Sequence, residues 1–140
     1  MIRVLTLTIF LFLGVCCSEV LPLCTLEFNN GFKIEKLPQA NTQKSRQKGL
    51  SDLDDIKTGM IFTWDRASEL SFWMKDTKVA LSIGFFDENG ELFQIEDMEP
   101  YSLAKHYSIK KAKFALELEQ GNFKKYGINI GTKITKLVCR

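Results

Sequence analysis

Two Asn-Gly steps, Asn30-Gly31 and Asn89-Gly90, each fall between short apolar runs. Asn and Gly tolerate the positive φ angles of a tight hairpin turn, so each step directs its flanking runs to pair antiparallel. Thr25–Phe28 and Phe32–Leu37 flank the first step, and Ala80–Phe86 and Leu92–Met98 the second. Ala80–Phe86 alternates, with Leu81, Ile83 and Phe85 on one face and Ala80, Ser82 and Gly84 on the other. Lys113–Glu119 does the same, which places Phe114, Leu116 and Leu118 inward and Glu117 and Glu119 on the opposite face. Met60–Trp64, Leu70–Met74 and Lys133–Cys139 read as further strands, and Pro38 as the stop of the second. The expectation is a mainly β, compact barrel- or sandwich-like domain of short strands with one or two short helices.

One helix is predicted over Asn41–Lys48, capped by Asn41 or Thr42 and closed by Gly49 in a left-handed conformation. Lys44, Arg46 and Lys48 lie toward its negative end. It has almost no apolar face, so packing is not its main purpose. Phe123–Tyr126 reads as a single further turn of helix, and Pro100–Ser108 as irregular.

The N-terminus is not domain material. Arg3 is the one charge ahead of Glu19, and Val4–Val15 is apolar except for Thr6, Thr8 and Gly14. A positive start followed by an apolar stretch of about a dozen residues is the pattern of a signal peptide, and is short of the roughly 20 residues of a membrane span. Residues 1–17 are therefore assigned to targeting, 18–31 to a tether and first strand, and 32–140 to the main domain. Leu13-Gly14-Val15-Cys16 resembles a bacterial lipoprotein box, although Val15 stands where a small residue is usual. Cys16 and Cys17 are the lipidation candidates, and ordinary cleavage near Ser18 is the alternative. The expected location is the periplasm or the cell envelope, with membrane contact through a lipid anchor alone.

Cys24 and Cys139 lie near the two ends of the remaining chain. Outside the cytoplasm they can form a disulfide, provided that the terminal strands are neighbours. Two separate buried thiols are the other reading.

Composition narrows the functional classes. The chain is 45% hydrophobic and 26% charged, with a formal net charge of +2. Its basic clusters, Lys44/Arg46/Lys48 and Lys110/Lys111/Lys113, are short and match no nucleic-acid signature. His106 is the sole histidine, so no histidine-rich metal site is available. Neither a phosphate-binding glycine loop nor a nucleophile elbow is present. Asp52-Leu53-Asp54-Asp55 lacks calcium-loop spacing and reads as surface loop. No metal, cofactor or nucleic-acid partner is expected, and the domain is read as a monomer.

Ser71-Phe72-Trp73-Met74-Lys75-Asp76-Thr77 sets two large aromatics beside a Lys-Asp pair. Such a segment can build a ligand pocket, whose walls are mostly apolar with a few placed polar groups. It can equally be a buried aromatic strand whose lysine reaches solvent and pairs with Asp76.

The phrase Phe-Trp-Met-Lys-Asp-Thr over 72–77 resembles the signature of the domain of unknown function 192 family of prokaryotic proteins, whose usual phrase ends Lys-Asn-Thr. Other blocks resemble that family in order: Ala40-Asn41-Thr42, Arg46, Gly49-Leu50, Gly59-Met60-Ile61-Phe62, Leu81 to Gly90, Ala115-Leu116-Glu117-Leu118, Gly121, Gly127-Ile128 and Gly131. The likeness covers about residues 32–138. It implies a compact β-barrel-like domain with a short helix, often exported, and no established activity. Ser51-Asp52 after Leu50, Ser82 after Leu81, and Asp76 depart from the family pattern.

Arg46, Phe72, Trp73, Lys75, Asp76 and Glu117 are the candidate site residues. Trp73 and Phe72 would form an apolar wall, Arg46 and Lys75 would hold an anion such as a carboxylate, and Asp76 and Glu117 would orient these cations. The leading expectation is a non-catalytic accessory domain binding a small ligand or an envelope component. The alternative is an envelope hydrolase using Asp76 and Glu117 as acid and base, which requires both carboxyls to face one cleft.

Overall fold

The computed structural model describes residues 19–140. The targeting segment and the lipidation candidates Cys16 and Cys17 lie outside the described residues. The strands are β1 (Leu23–Phe28), β2 (Lys33–Ala40), β3 (Met60–Ser68), β4 (Ser71–Phe72), β5 (Leu81–Phe86), β6 (Leu92–Met98), β7 (His106–Tyr107), β8 (Ala112–Glu119) and β9 (Ile134–Cys139). Two short helices, α1 (Gln43–Lys48) and α2 (Asn122–Lys125), interrupt them. Seven strands form one sheet in the order β6-β5-β8-β3-β2-β1-β9, and β4 pairs with β7 in a separate ribbon. The pairings in the large sheet are antiparallel except β2 with β3, where α1 makes the crossover. The sheet curls until its edges meet at one corner. There Leu92 N–H donates to Thr132 O at 2.9 Å and Ile134 N–H to Gly90 O at 2.9 Å. The mainly β architecture with short helices expected from the turn and strand pattern is observed, and of the barrel and sandwich forms the sheet takes that of a curled half-barrel.

A curled sheet of this kind has two faces to cover, and both are covered. Met60, Phe62, Leu81, Ile83, Phe85 and Ala115 belong to one apolar cluster, completed by Leu50, Leu70, Met74 and Met98. Ile61, Phe86, Leu116 and Leu118 belong to the other, with Leu26, Phe28, Leu37, Phe123 and Ile128. Each fully buried Leu, Ile or Phe contributes roughly 1.5–3 kcal/mol by leaving water. The central strands therefore have no solvent face, and β5 is buried at every position. This corrects the one-sided assignment of β8. Leu116 and Leu118 do point into a core, but Glu117 on the opposite face is 4% exposed and points into the other.

Two boundaries also differ from expectation. Pro38 does not end β2, which runs on to Ala40. Gln39 N–H points toward β1, where it donates to Pro22 O at 2.9 Å. Alternation turns the proline nitrogen the other way, toward β3, whose pairing begins only at Gln39. The missing donor therefore costs no ladder bond. Leu70–Met74 is strand only at Ser71–Phe72, because Met74 opens a turn in which Thr77 N–H donates to Met74 O at 3.1 Å.

The expected link between the chain ends is present. Cys24 and Cys139 face one another across the β1–β9 ladder and form a disulfide that spans a sequence separation of 115. Segment 18–31 contributes β1, held between β2 and β9.

Candidate functional site

A cavity of about 330 Å³ opens between α1, β3, the β4 segment and the loop that leads into β7. Its aromatic wall consists of Phe62 and Trp64 from β3 and Phe72 and Trp73 from β4 and the residue after it. Strand alternation places Met60, Phe62 and Trp64 on one face of β3. Phe72 meets Phe62, Trp64 and Phe85 edge to face, at centroid distances of 5.0, 6.2 and 5.8 Å. These contacts fix the wall, since aromatic pairs favour such tilted geometry.

Helix α1 forms one side. Thr42 and Ser45 build a capping box, with Ser45 N–H donating to Thr42 Oγ1 and Thr42 N–H to Ser45 Oγ, both at 3.0 Å. A polar pair thus fixes a helix that has no apolar stripe, and Ser45 is its one buried residue. Arg46 then reaches across. Its Nη1 donates to Asn41 O and Thr63 O, each at 2.8 Å, and its guanidinium lies 5.0 Å from the Trp64 ring centre. Gly49, at φ 48, ends the helix against Phe62 and lets the chain turn so that Leu50 is buried.

Glu117 lines the same cavity from β8, between Met60 on β3 and Ile83 on β5. No hydrogen bond or ion pair reaches its carboxyl from any described residue. Burial alone raises its pKa from 4.5 to about 8, so the group is mostly protonated at neutral pH. No cation among the described residues offsets that burial. Lys105 stands at the mouth, its Nζ 3.5 Å from the Trp73 ring centre. Trp73 itself is 41% exposed. Neither Arg46 nor Lys105 has a carboxylate partner among the described residues.

The structure brings Arg46, Phe72, Trp73 and Glu117 together around this cavity, and it leaves Lys75 and Asp76 outside. Lys75 is exposed, with its ammonium 5.6 Å from the Trp73 ring centre. Asp76 is exposed at φ 57, and its carbonyl accepts from Asp52 N–H at 2.8 Å. Asn and Asp are among the residues that tolerate this left-handed backbone. The turn therefore accounts for the identity of residue 76. The acid/base pairing of Asp76 with Glu117 lacks a shared cleft, which removes the structural basis of the two-carboxyl hydrolase.

Trp64, Phe62 and Lys105 were not among the sequence candidates. The two-residue spacing of Phe62 and Trp64 after Met60 carries the signal for the first two. Lys105 is placed by an irregular loop and has no comparable signal. His106 bonds through Nδ1 to Glu96 at 2.7 Å and ties β7 to β6. The acidic loop at 52–55 is likewise pinned from outside, by Lys48 to Asp52 and Lys78 to Asp54, each at 2.5 Å. Among the described residues no group of three or more His, Cys, Asp or Glu is placed to hold a metal ion.

The fold and this arrangement place the chain in a known class of small β proteins. It belongs to the DUF192 family, described as an uncharacterized ACR, whose profile matches residues 25–136. Two solved structures share the fold. A protein of unknown function from Novosphingobium aromaticivorans DSM 12444 is 24% identical, with a TM-score of 0.74 over 88% of this chain and 89% of that one. A protein from Sinorhizobium meliloti 1021, provisionally named a transcription regulator, is 25% identical, with a TM-score of 0.74 over 87% of this chain and 98% of that one. No curated protein matches the chain.

Proposed function

We propose that this is an exported, non-catalytic domain of the cell envelope that binds a small ligand in the cavity beside α1. The observation that carries the reading is Glu117. No described residue holds its carboxyl, whose oxygens open on the cavity instead of being sealed in the core, where an unmet polar group would be costly. Here the unmet group faces a cavity with four aromatic residues and two unpaired cations. That combination of apolar wall and few polar groups is how small-molecule sites are built.

Export rests on the N-terminal pattern, and the Cys24–Cys139 disulfide is compatible with it. No described helix is long and apolar enough to cross a membrane. A nucleic-acid partner fits poorly, because six lysines (33, 48, 78, 110, 133 and 136) are already paired with carboxylates. A binding role fits better than hydrolysis, because among the described residues Glu117 is the one carboxyl lining the cavity and no histidine joins it.

A thermal-shift screen of small metabolites on the purified protein tests the proposal. A ligand present at one hundred times its dissociation constant stabilises by about 2.7 kcal/mol, several degrees in Tm for a domain of this size. The stabilisation is expected to vanish in Trp73→Ala. A screen covering acids, amines, sugars and peptides without any shift would defeat the reading. The mass of the exported protein decides between lipidation at Cys16 or Cys17 and ordinary cleavage.

A further inference from the structure

We infer that the ligand is a small zwitterion of the amino-acid or dipeptide class, its ammonium meeting Glu117 at the cavity floor and its carboxylate meeting Arg46 and Lys105 at the mouth. This inference rests on the ligand-binding reading above and gives it a chemistry.

Three titratable side chains without ionic partners among the described residues line one cavity, one acid and two bases. Glu117 is the acid, 4% exposed on the central strand β8. Arg46 and Lys105 are the bases, one on α1 and one on the loop before β7. Lys48 is the remaining charged residue of the lining, and Asp52 already neutralises it at 2.5 Å. A ligand bearing only an anion would leave Glu117 unmet. One bearing only a cation would leave the two bases unmet. A zwitterion satisfies both poles and brings no net charge into the site.

The walls agree with this polarity. Indole faces attract cations, and the protein's own cations already sit over both, Arg46 at 5.0 Å from Trp64 and Lys105 at 3.5 Å from Trp73. Two further aromatics, Phe62 and Phe72, line the same cavity as the carboxyl. The volume, about 330 Å³, lies at the low end for small-molecule sites and suits an amino acid or a dipeptide. An ammonium beside Glu117 would also favour the ionised carboxylate over the protonated acid, so binding at neutral pH should release a proton.

The two tryptophans of the chain both line the cavity, so intrinsic fluorescence reports its occupancy without a label. Titrations with L-phenylalanine, L-lysine, Ala-Phe and Phe-Ala are compared with the N-acetyl and C-amide form of each. At least one free zwitterion is expected to change the emission, with its N-acetyl and C-amide forms tenfold or more weaker. Glu117→Gln should abolish the preference for the free amine and keep that for the free carboxylate, and Arg46→Gln with Lys105→Gln should do the reverse. Calorimetry of the tightest zwitterion in phosphate and in Tris should show proton release in the wild type and none in Glu117→Gln. Blocked forms that bind as tightly as free ones would overturn the zwitterion while leaving the ligand-binding reading intact. So would a hit in the broad thermal-shift screen with no zwitterion among the binders. Silence in both assays would remove the ligand-binding reading itself.

Discussion

Gly59 packs directly on the backbone of Glu117. At φ +88, a Cβ on Gly59 would run into the Glu117 carbonyl oxygen and stand 2.9 Å from Leu118 Cδ2. The start of β3 thus approaches β8 at the residue whose side chain forms the cavity floor. Gly59→Ala is expected to cost about 3 kcal/mol or more, from the left-handed backbone and the displaced strand together. The urea midpoint measures it, and a midpoint within error of wild type would refute the close approach.

Glu117 makes stability depend on pH in the direction opposite to that of a salt-bridged carboxylate. Its folded pKa, about 8, lies above its ordinary value of 4.5, so between these values the native state holds a proton that the unfolded chain has lost. Its contribution is complete below about pH 4.5 and is lost as pH rises through 8. The change expected between pH 5 and pH 8 is about 3 kcal/mol. Denaturant curves at stepped pH should show this decline in the wild type and lose it in Glu117→Gln. An equal slope in both proteins would place the titration elsewhere.

Reduction of Cys24–Cys139 removes a closure across 115 residues. Chain entropy sets the loss at about 4–5 kcal/mol, and measured losses are commonly smaller. Cys24→Ser/Cys139→Ser should lower the urea midpoint by the same amount as reductant does, and reductant should have no further effect on the double variant. A wild-type midpoint indifferent to reductant would contradict the linkage.

Gly84 is the seat of α2. A Cβ there would lie 2.7 Å from Phe123 Cζ and 3.1 Å from Leu92 Cδ1. Gly84→Ala is expected to cost about 1–3 kcal/mol by overpacking. Phe123→Leu should cost less in the Gly84→Ala background than in the wild type, because removing the ring relieves the clash. A double-mutant cycle measures that coupling, and additive losses would show that the ring does not rest on Gly84.

The strands were legible because Asn30-Gly31 and Asn89-Gly90 announce their hairpins, and both Gly31 and Gly90 do carry positive φ. Alternation in β8 was equally clear, but a period of two separates faces without saying which face meets water. On a strand buried on both sides, alternation set Glu117 opposite Leu116 and Leu118 without showing that its own face is also a core. Asp76 misled for a different reason, since its identity serves the backbone at φ 57 and leaves the cavity untouched. Arg46 stands in a block that resembles the family and Trp73 in the aromatic segment 71–77, and both line the cavity. Trp64 escaped because its partner Arg46 is 18 positions away and meets it only after β2 crosses over to β3. Pro38 could not be placed from sequence because its tolerance depends on which neighbour its nitrogen faces.

The bridge between β1 and β9 also decides how the domain carries mechanical load. Tension applied between the chain ahead of Cys24 and the chain beyond Cys139 passes from one sulfur to the other. The chain between them stays slack, and with it the aromatic wall and the strand that presents Glu117. Until the sulfur link is cut, such a pull can reorient the domain as a rigid body but cannot draw the cavity open.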